Sequence, residues 1–430
     1  MFEQRRKKFL EQMKENSVAV FKNSSETIRN NDVTYKHRTE SDFYYLTGFS
    51  EPDSVLVLTP SHPEHKYILF VRPRDPNKET WYGKRAGVEG AMKDFGADIA
   101  YSIEQLDEKL AEYLKVDSLY YTLGKYHDFD QKIISMVSNL RSKIRAGASY
   151  PSEIIETNSI VHEMRLIKDS SEIEAMKKSL SITKEAYFET MKALKPEMFE
   201  YEIEAIFQNT FRKHNASSSY ESIVGGGANA TILHYIENNK QLQDGELLLI
   251  DAAAEYNFYA SDITRTFPVS GKFTEAQKEI YNVVLKAQLA AIEMAQVGNR
   301  FMDVNNKAIE VLTQGLVDLG ILKGDVTELI KTEAYKKFYM HKIGHWLGMD
   351  VHDVGRYAEK NGESKVLKSG IMMTIEPGLY IPEDSEGVDS KYLGIGIRIE
   401  DDILITKNGN ENLSKDIPKT VEEIEALMSR

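Results

Sequence analysis

Residues 247–269, LLLIDAAAEYNFYASDITRTFPV, decide the fold. Two runs rich in Leu, Ile, Phe, Tyr and Thr flank a join that offers Asn257 as a left-handed turn residue, the composition of a β-hairpin. A turn at Tyr256 and Asn257 pairs residue 255 with 258, and therefore Asp251 with Asp262; a bulge near Ala260 would shift that register. Directly opposed side chains on paired strands have Cβ atoms about 4.5 to 5.5 Å apart, where like charges are destabilising unless something neutralises them. Asp251 ends a continuous apolar run, so burial is expected. A buried, unpaired carboxylate is costly or takes up a proton. A cation between the two aspartates is the natural resolution.

A second acidic pair stands further along. Glu376, in TIEPGLY, and Glu400, in GIRIEDD, each lie within a strand-like stretch of branched apolar residues, and a connecting loop of polar residues from Pro382 to Lys391 makes the two strands neighbours. Glu383, Asp384, Glu386, Asp389, Asp401 and Asp402 read instead as loop and solvent-facing charges. Between the pairs lies HKIGHWLGMDVHD, with His341, His345 and His352, while His234 stands apart in TILHY. The spacing of His341 and His345 would place both rings on one face of a helix, but no Glu follows the first His, and Gly344 and Gly348 disfavour a regular helix. Four carboxylates and an imidazole suit two hard divalent ions better than one structural zinc. Two such ions about 3.5 to 4 Å apart share a bridging hydroxide and clamp a tetrahedral transition state.

Composition narrows the field. At 430 residues two domains are expected, and hydrophobic residues at 41%, charged residues at 28% and a mean hydropathy of −0.43 describe a soluble globular chain. There is no run of about 18 apolar residues, so no membrane span is expected. MFEQRRKKFLEQMKEN has no apolar stretch behind its basic residues and does not look like a signal peptide, so the cytoplasm is the expected location. Cysteine is absent, which removes disulfides, thiolate metal sites and a cysteine nucleophile. The net charge of −13 argues against nucleic-acid binding, which needs a basic surface.

The first 150 or so residues alternate helical and strand signals, with SVAVF, SVLVLT, YILFV and DSLYYT as strands and EQLDEKLAEYL as a helix, a compact α/β pattern. Residues 147–151, GASYP, form a plausible boundary loop. Residues 169–194 carry an N-cap signal and helical periodicity, continued by EYEIEAIFQNTFRKH, and further helices are expected at about 275–297 and 303–319. From Ser222 onward strands and glycine-rich turns dominate. The two hairpins of the C-terminal half, each with a pair of acids, echo one another.

Asp251, Asp262, His345, Glu376 and Glu400 resemble the five-ligand set of the pita-bread metallopeptidases, the family with methionine aminopeptidase, prolidase and aminopeptidase P. ASDITRTFPVSGKFT, HWLGMDVHDVG, TIEPGLY and GIGIRIEDD are most similar to its aminopeptidase P (Xaa-Pro aminopeptidase) branch, and RTESDFYYLTGFSEPDSVLVL and ETWYGKRAG, which contains Trp81, extend the resemblance over nearly the whole chain. The implied fold is α+β: a pita-bread (creatinase/aminopeptidase-like) catalytic domain over 161–430, preceded by a smaller α/β N-terminal domain over 1–160. The implied activity is hydrolysis of the N-terminal Xaa-Pro bond, releasing the first residue, by a hydroxide held between two metal ions, with Mn²⁺ the expected pair. The resemblance makes Asp251 a ligand of one ion, His345 and Glu376 ligands of the other, and Asp262 and Glu400 bridges between them. It makes Glu376 the proton carrier as well. His234, His341 and His352 match histidines that contact substrate and stabilise the tetrahedral intermediate; Tyr380 and Arg398 match positions behind the ligands, and Asp32, in IRNNDVTY, an acid that partners the arginine. The implied partners are peptides with proline in second position, and the implied assembly is a homodimer or homotetramer. Gly344, Thr231 and Ala253 depart from the family's usual Ser, Cys and Gly; none is a ligand. The competing expectations are an Xaa-Pro dipeptidase with the same site and a non-catalytic pita-bread peptide-binding protein. The latter fits poorly with five filled ligand positions.

Overall fold

The computed structural model describes residues 1–429, and the chain divides into two compact units, Met1–Met164 and Arg165–Arg430. The first unit is built on a six-stranded mixed sheet with the spatial order Ile99–Ser102, Tyr67–Val71, Val55–Leu58, Ser17–Lys22, Ser118–Tyr120, Glu153–Ile155. The pairings on either side of Val55–Leu58 are antiparallel and the others parallel. The unbroken apolar runs of the central strands follow from burial on both faces, and Val18, Val57 and Ile68 pack with Leu110 and Ile133 of the helices Leu106–Tyr113 and His127–Ser142. Asp32 is exposed between the short paired strands Ile28–Asn30 and Val33–Thr34, and Trp81, on the helix Pro76–Tyr82, is 83% exposed.

In the second unit four long helices flank short antiparallel sheets. Ser170–Ala193 starts where the sequence signals it: Asp169 accepts the N–H groups of Ser171 and Glu172 at 2.9 and 3.0 Å, and the Glu172 carboxylate accepts the Asp169 N–H at 3.0 Å. Glu200–Lys213, Glu275–Met294 and Phe301–Asp318 follow. A Cβ on Gly315 would lie 2.3 Å from the Val283 Cγ1, so only glycine admits the approach between the last two helices.

Alternation along the strand Leu247–Asp251 separates core from site. Leu248 and Ile250 pack with Tyr187, Tyr281 and Val284 of the helices, whereas Leu249 clusters with Ile223, Tyr235 and Tyr380, and Asp251 shares that opposite face. The Tyr187 hydroxyl lies 3.0 Å from the Ile250 carbonyl and 2.6 Å from that of Ile263, which seats the Ser170–Ala193 helix under both strands of the hairpin.

The hairpin forms with a different register from the one its composition suggests. Asn257 and Phe258, with φ of 50° and 69°, are the turn residues; Tyr256 pairs with Tyr259, and Asp251 with Thr264. Asp262 is therefore not opposite Asp251 but two residues away along the neighbouring strand. A shift of two residues keeps every side chain on its face, so both carboxylates still point the same way. No bulge is involved, because Ala252 N–H to Ile263 and Ser261 N–H to Ala254 carry one register through the gap between the strand pairs. In the second hairpin, Met372–Ile375 pairs with Asp401–Thr406, and Gly378–Ile381 with Ile395–Arg398. Ile375 opposite Asp401 and Gly378 opposite Arg398 belong to one register, which sets Glu376 against Glu400.

Asp401 and Asp402 are not solvent-facing. Asp401 is fully buried, where it receives Arg265, Lys419, Gln288, Asn412 and Ser414, and Asp402 is 1% exposed with its Oδ2 accepting the Asp262 N–H at 3.2 Å. The loop acids Glu383, Asp384, Glu386 and Asp389 lie at the surface, half-buried at most. Partners distant in sequence, Arg265 and Lys419 for Asp401 and the Asp262 backbone for Asp402, set which acids go inside.

Candidate metal centre

A cavity of about 440 Å³ gathers Asp251, Asp262, His345, Glu376 and Glu400 with His234, His341, His352 and Arg398, and its remaining walls include Tyr220, Ile223, Leu233, Ile236 and Val351. Tyr380 lies behind the wall and is fully buried. The structure thus brings together every site residue singled out in the sequence of the second unit.

Tyr220, absent from the residues singled out in the sequence, joins the two aspartates: its hydroxyl lies 2.5 Å from Asp251 Oδ1 and 2.6 Å from Asp262 Oδ1. The other Asp262 oxygen lies 3.2 Å from His345 Nε2, and that nitrogen is 3.7 Å from Glu376 Oε1. His345 Nδ1–H donates to the Trp346 carbonyl at 3.0 Å, which turns Nε2 toward the acids. Gly344 permits the backbone course here, since a Cβ on it would sit 2.1 Å from the Thr374 carbonyl oxygen. Glu400 accepts the Thr264 hydroxyl at 2.7 Å, and its N–H donates to the Thr264 carbonyl at 3.1 Å. Thr264 follows Asp262 by two residues and shares its face, a signal alternation supplies; nothing in the string SSSYES marks Tyr220.

Behind the acids runs a hydrogen-bonded chain. Arg398 donates from Nη2 to Asp251 Oδ2 at 2.6 Å, from Nη1 to the Tyr380 hydroxyl at 3.0 Å and from Nε to the Thr264 hydroxyl at 3.1 Å. The Tyr380 hydroxyl in turn lies 2.9 Å from His341 Nε2, and His341 Nδ1–H donates to the Lys342 carbonyl at 2.8 Å. Both nitrogens of His341 are thereby engaged. Among the described residues, the rings of His234 and His352 make no hydrogen bond, and His352 stands edge-on to His345 with ring centroids 4.3 Å apart.

The electrostatics call for cations. Four carboxylates, Asp262 and Glu400 buried and Asp251 and Glu376 largely so, face one guanidinium and the His345 imidazole. Burial, with Asp262 and the other acids adding to it, pushes Glu400 well above the usual carboxylate range. Burial also raises Asp251, against the pull of Arg398, and lifts Glu376 to about 7. Burial opposes charge on His345, but Asp262 and Glu376 outweigh it and raise the imidazole to about 9. Burial and Arg398 depress His341 to about 4, which keeps it neutral. Donor atoms of Asp262, His345 and Glu400 all lie within 4.8 Å of one another, the convergence a metal ion requires, and the donor set of oxygens and one imidazole fits a hard divalent ion.

Comparison with known proteins agrees with this geometry. The sequence profile of metallopeptidase family M24 matches residues 174–407, and that of the aminopeptidase P N-terminal domain matches residues 2–121. The Xaa-Pro aminopeptidase of Haemophilus influenzae is 46% identical over 429 residues, covering 100% of this chain and 97% of its own, and that of Escherichia coli is 44% identical over 430 residues, covering 99% and 97%. Among solved structures, aminopeptidase PepP of Pseudomonas aeruginosa superposes with a TM-score of 0.97 at 46% identity over 100% of this chain and 97% of its own. Zn-substituted E. coli aminopeptidase P in complex with product superposes at 0.96, with 44% identity over 99% of this chain and 97% of its own. With both profiles matched in order and full-length relatives at this identity, the chain belongs to metallopeptidase family M24, in the branch of Xaa-Pro aminopeptidases that carry the aminopeptidase P N-terminal domain.

Proposed function

We propose that this chain hydrolyses the N-terminal Xaa-Pro bond of peptides, releasing the first residue, with Asp251, Asp262, His345, Glu376 and Glu400 holding two divalent ions, Mn²⁺ in the native enzyme. The observation that carries the reading is the convergence of these five side chains, four of them mutually repelling acids, on one cavity. When bound, the ions supply Lewis acidity toward the scissile carbonyl and toward water.

The chain's own residues do the rest. Glu376 is the least restrained of the four acids: among the described residues the only hydrogen bond to its carboxylate is a long one, 3.5 Å, from the Thr374 hydroxyl. That freedom suits a group that takes a proton from the attacking water and passes it to the leaving proline nitrogen. His234 and His352, with uncommitted ring nitrogens on the cavity wall, are the donors to the oxygen that becomes negative in the tetrahedral intermediate. His341, Tyr380 and Arg398 act as one unit, shaping the wall and fixing the orientation of Asp251. An Xaa-Pro bond has no N–H to recognise, so the proline ring is selected by shape, against Leu233, Ile236, Val351 and the two free histidines.

The physiological substrates in this reading are peptides with proline in second position. A homodimer or homotetramer and cytoplasmic residence belong to the same reading; among the described residues no helix is long and apolar enough to cross a membrane. Mass spectrometry of the products from Xaa-Pro-Yaa and Xaa-Pro peptides, with metal-reconstituted enzyme, tests the assignment. Free Xaa and Pro-Yaa from the tripeptide are expected; turnover of dipeptides alone would make the chain a dipeptidase.

A further inference from the structure

Residues 345–353 carry both His345 and His352, and this loop forms neither helix nor strand of its own. Arg165 holds it through Asp350, at 2.7 Å from Nη2, and through the buried Asp353, while the Trp346 N–H donates to the Tyr357 hydroxyl at 2.9 Å. Asp353 accepts from Arg165 Nη2 at 2.6 Å and from Lys168 Nζ at 2.9 Å, and all three side chains are buried. Its backbone N–H donates to the Trp346 carbonyl at 2.9 Å, the same carbonyl that receives His345 Nδ1–H. Gly348 closes the turn around the carboxylate, because a Cβ there would lie 2.1 Å from Asp353 Oδ2 and 2.9 Å from Lys168 Cε. The Gly348 carbonyl then accepts the Ala260 N–H at 2.8 Å, tying the loop to the strand that leads to Asp262.

We propose that Asp353, clamped by Arg165 and Lys168, is a positioning residue for the metal centre: it holds the Trp346 carbonyl that fixes the tautomer and orientation of His345, and it seats the adjoining His352 against the His345 ring. The inference rests on the reading of His345 as a metal ligand. Asp353 is not part of the cavity lining, so it makes no substrate contact of its own and acts only through the loop it holds. Two cations on one carboxylate give it a single geometry, and the backbone carries that geometry to the ring. A group that holds the far nitrogen of a ligating histidine governs both which nitrogen faces the metal and how the ring is aimed.

Mn²⁺ affinity of the full chain, titrated against a competing chelator, tests this for the native sequence, Asp353→Asn, Lys168→Met, Lys168→Arg and His345→Ala, together with histidine ¹⁵N NMR of the Zn²⁺-loaded chain. Asp353→Asn and Lys168→Met are expected to bind metal about 10- to 100-fold more weakly and to broaden the His345 Nδ1–H resonance, while Lys168→Arg, which keeps the charge, stays within about threefold. Should Asp353→Asn fail to fold, Lys168→Met decides in the same way. A lower melting temperature with native metal affinity and an unchanged resonance would overturn the proposal and leave the acid a purely structural one. Native affinity in His345→Ala would remove the ligand assignment itself, an outcome distinct from the first.

Discussion

Arg398 and Asp251 are bound through a 2.6 Å contact between Nη2 and Oδ2, with side-chain exposures of 4% and 13%, and this guanidinium is the only permanent positive charge among the cavity-lining groups that touch the four acids. Removing one partner of a buried pair costs about 3 to 5 kcal/mol because the other charge is left uncompensated. Arg398→Met should therefore destabilise the metal-free chain by roughly that amount. Metal ions supply the missing charge, so the loss should shrink in the loaded chain. Urea denaturation of both forms checks this; equal losses would mean that the arginine balances something other than the ligand acids.

Protonation of the same acids couples metal uptake to pH. Glu376 is raised to about 7, Asp251 and Glu400 are raised, and His345 is raised to about 9 in the metal-free chain. As the proposed ligands these groups would have to give up their protons, so binding should release protons and affinity should climb between pH 6 and 8, by roughly tenfold per unit for each proton displaced. Calorimetry in buffers of different ionisation heat reads the proton count directly, and an affinity indifferent to pH would contradict it.

The same shifts set the stability of the metal-free chain. A group whose folded pKa is raised contributes stability that is complete below its unfolded pKa and is lost as pH rises through the folded value. Glu376 therefore removes stability from about pH 4.5 to 7, and His345 continues the trend toward 9. Asp353 and Asp401 act in the opposite sense. Burial opposes their charge, but Lys168 with Arg165, and Arg265 with Lys419, hold them below the usual range, so their contribution is lost only as pH falls below their unfolded values near 3.8. The metal-free melting temperature should peak in mild acid and fall toward neutrality, and metal loading should move the peak upward. A metal-free optimum above pH 7 would be the contrary result.

The free ring of His352 separates catalysis from metal binding. His352→Ala should retain metal and lose about 100- to 1,000-fold in kcat, the usual consequence of deleting one donor to a developing oxyanion. Steady-state kinetics with metal analysis on the same sample decides it. Native turnover, or loss of metal, would reassign the residue.

Much of this was legible in the chain, and the exceptions have physical causes. Asp169 and Glu172 announce the helix they cap, and the unbroken apolar runs of the first unit announce strands buried on both faces. Asp251 and Asp262 could be placed on one face, but not in register, because Asn257 marks a left-handed turn residue without saying whether its left-handed neighbour is Tyr256 or Phe258. Asp401 and Asp402 misled because adjacent acids resemble a solvated run. Their burial depends on Arg265, Lys419 and the Asp262 backbone, which are distant in sequence. Tyr220 was invisible for the same reason: its partners lie 31 and 42 residues away.

In the proposed mechanism five side chains from two hairpins and one loop form a single two-ion site that drives Xaa-Pro hydrolysis. Its most direct test is a Mn²⁺ titration of the metal-free chain that records bound metal and hydrolysis of an Xaa-Pro-Yaa peptide together. Two ions per chain are expected at saturation, with activity that rises with occupancy and is abolished by chelation, and with loss of at least one ion in Asp262→Ala and in Glu400→Ala. Full tripeptide turnover by chelated enzyme, or native stoichiometry in those two variants, would contradict the mechanism.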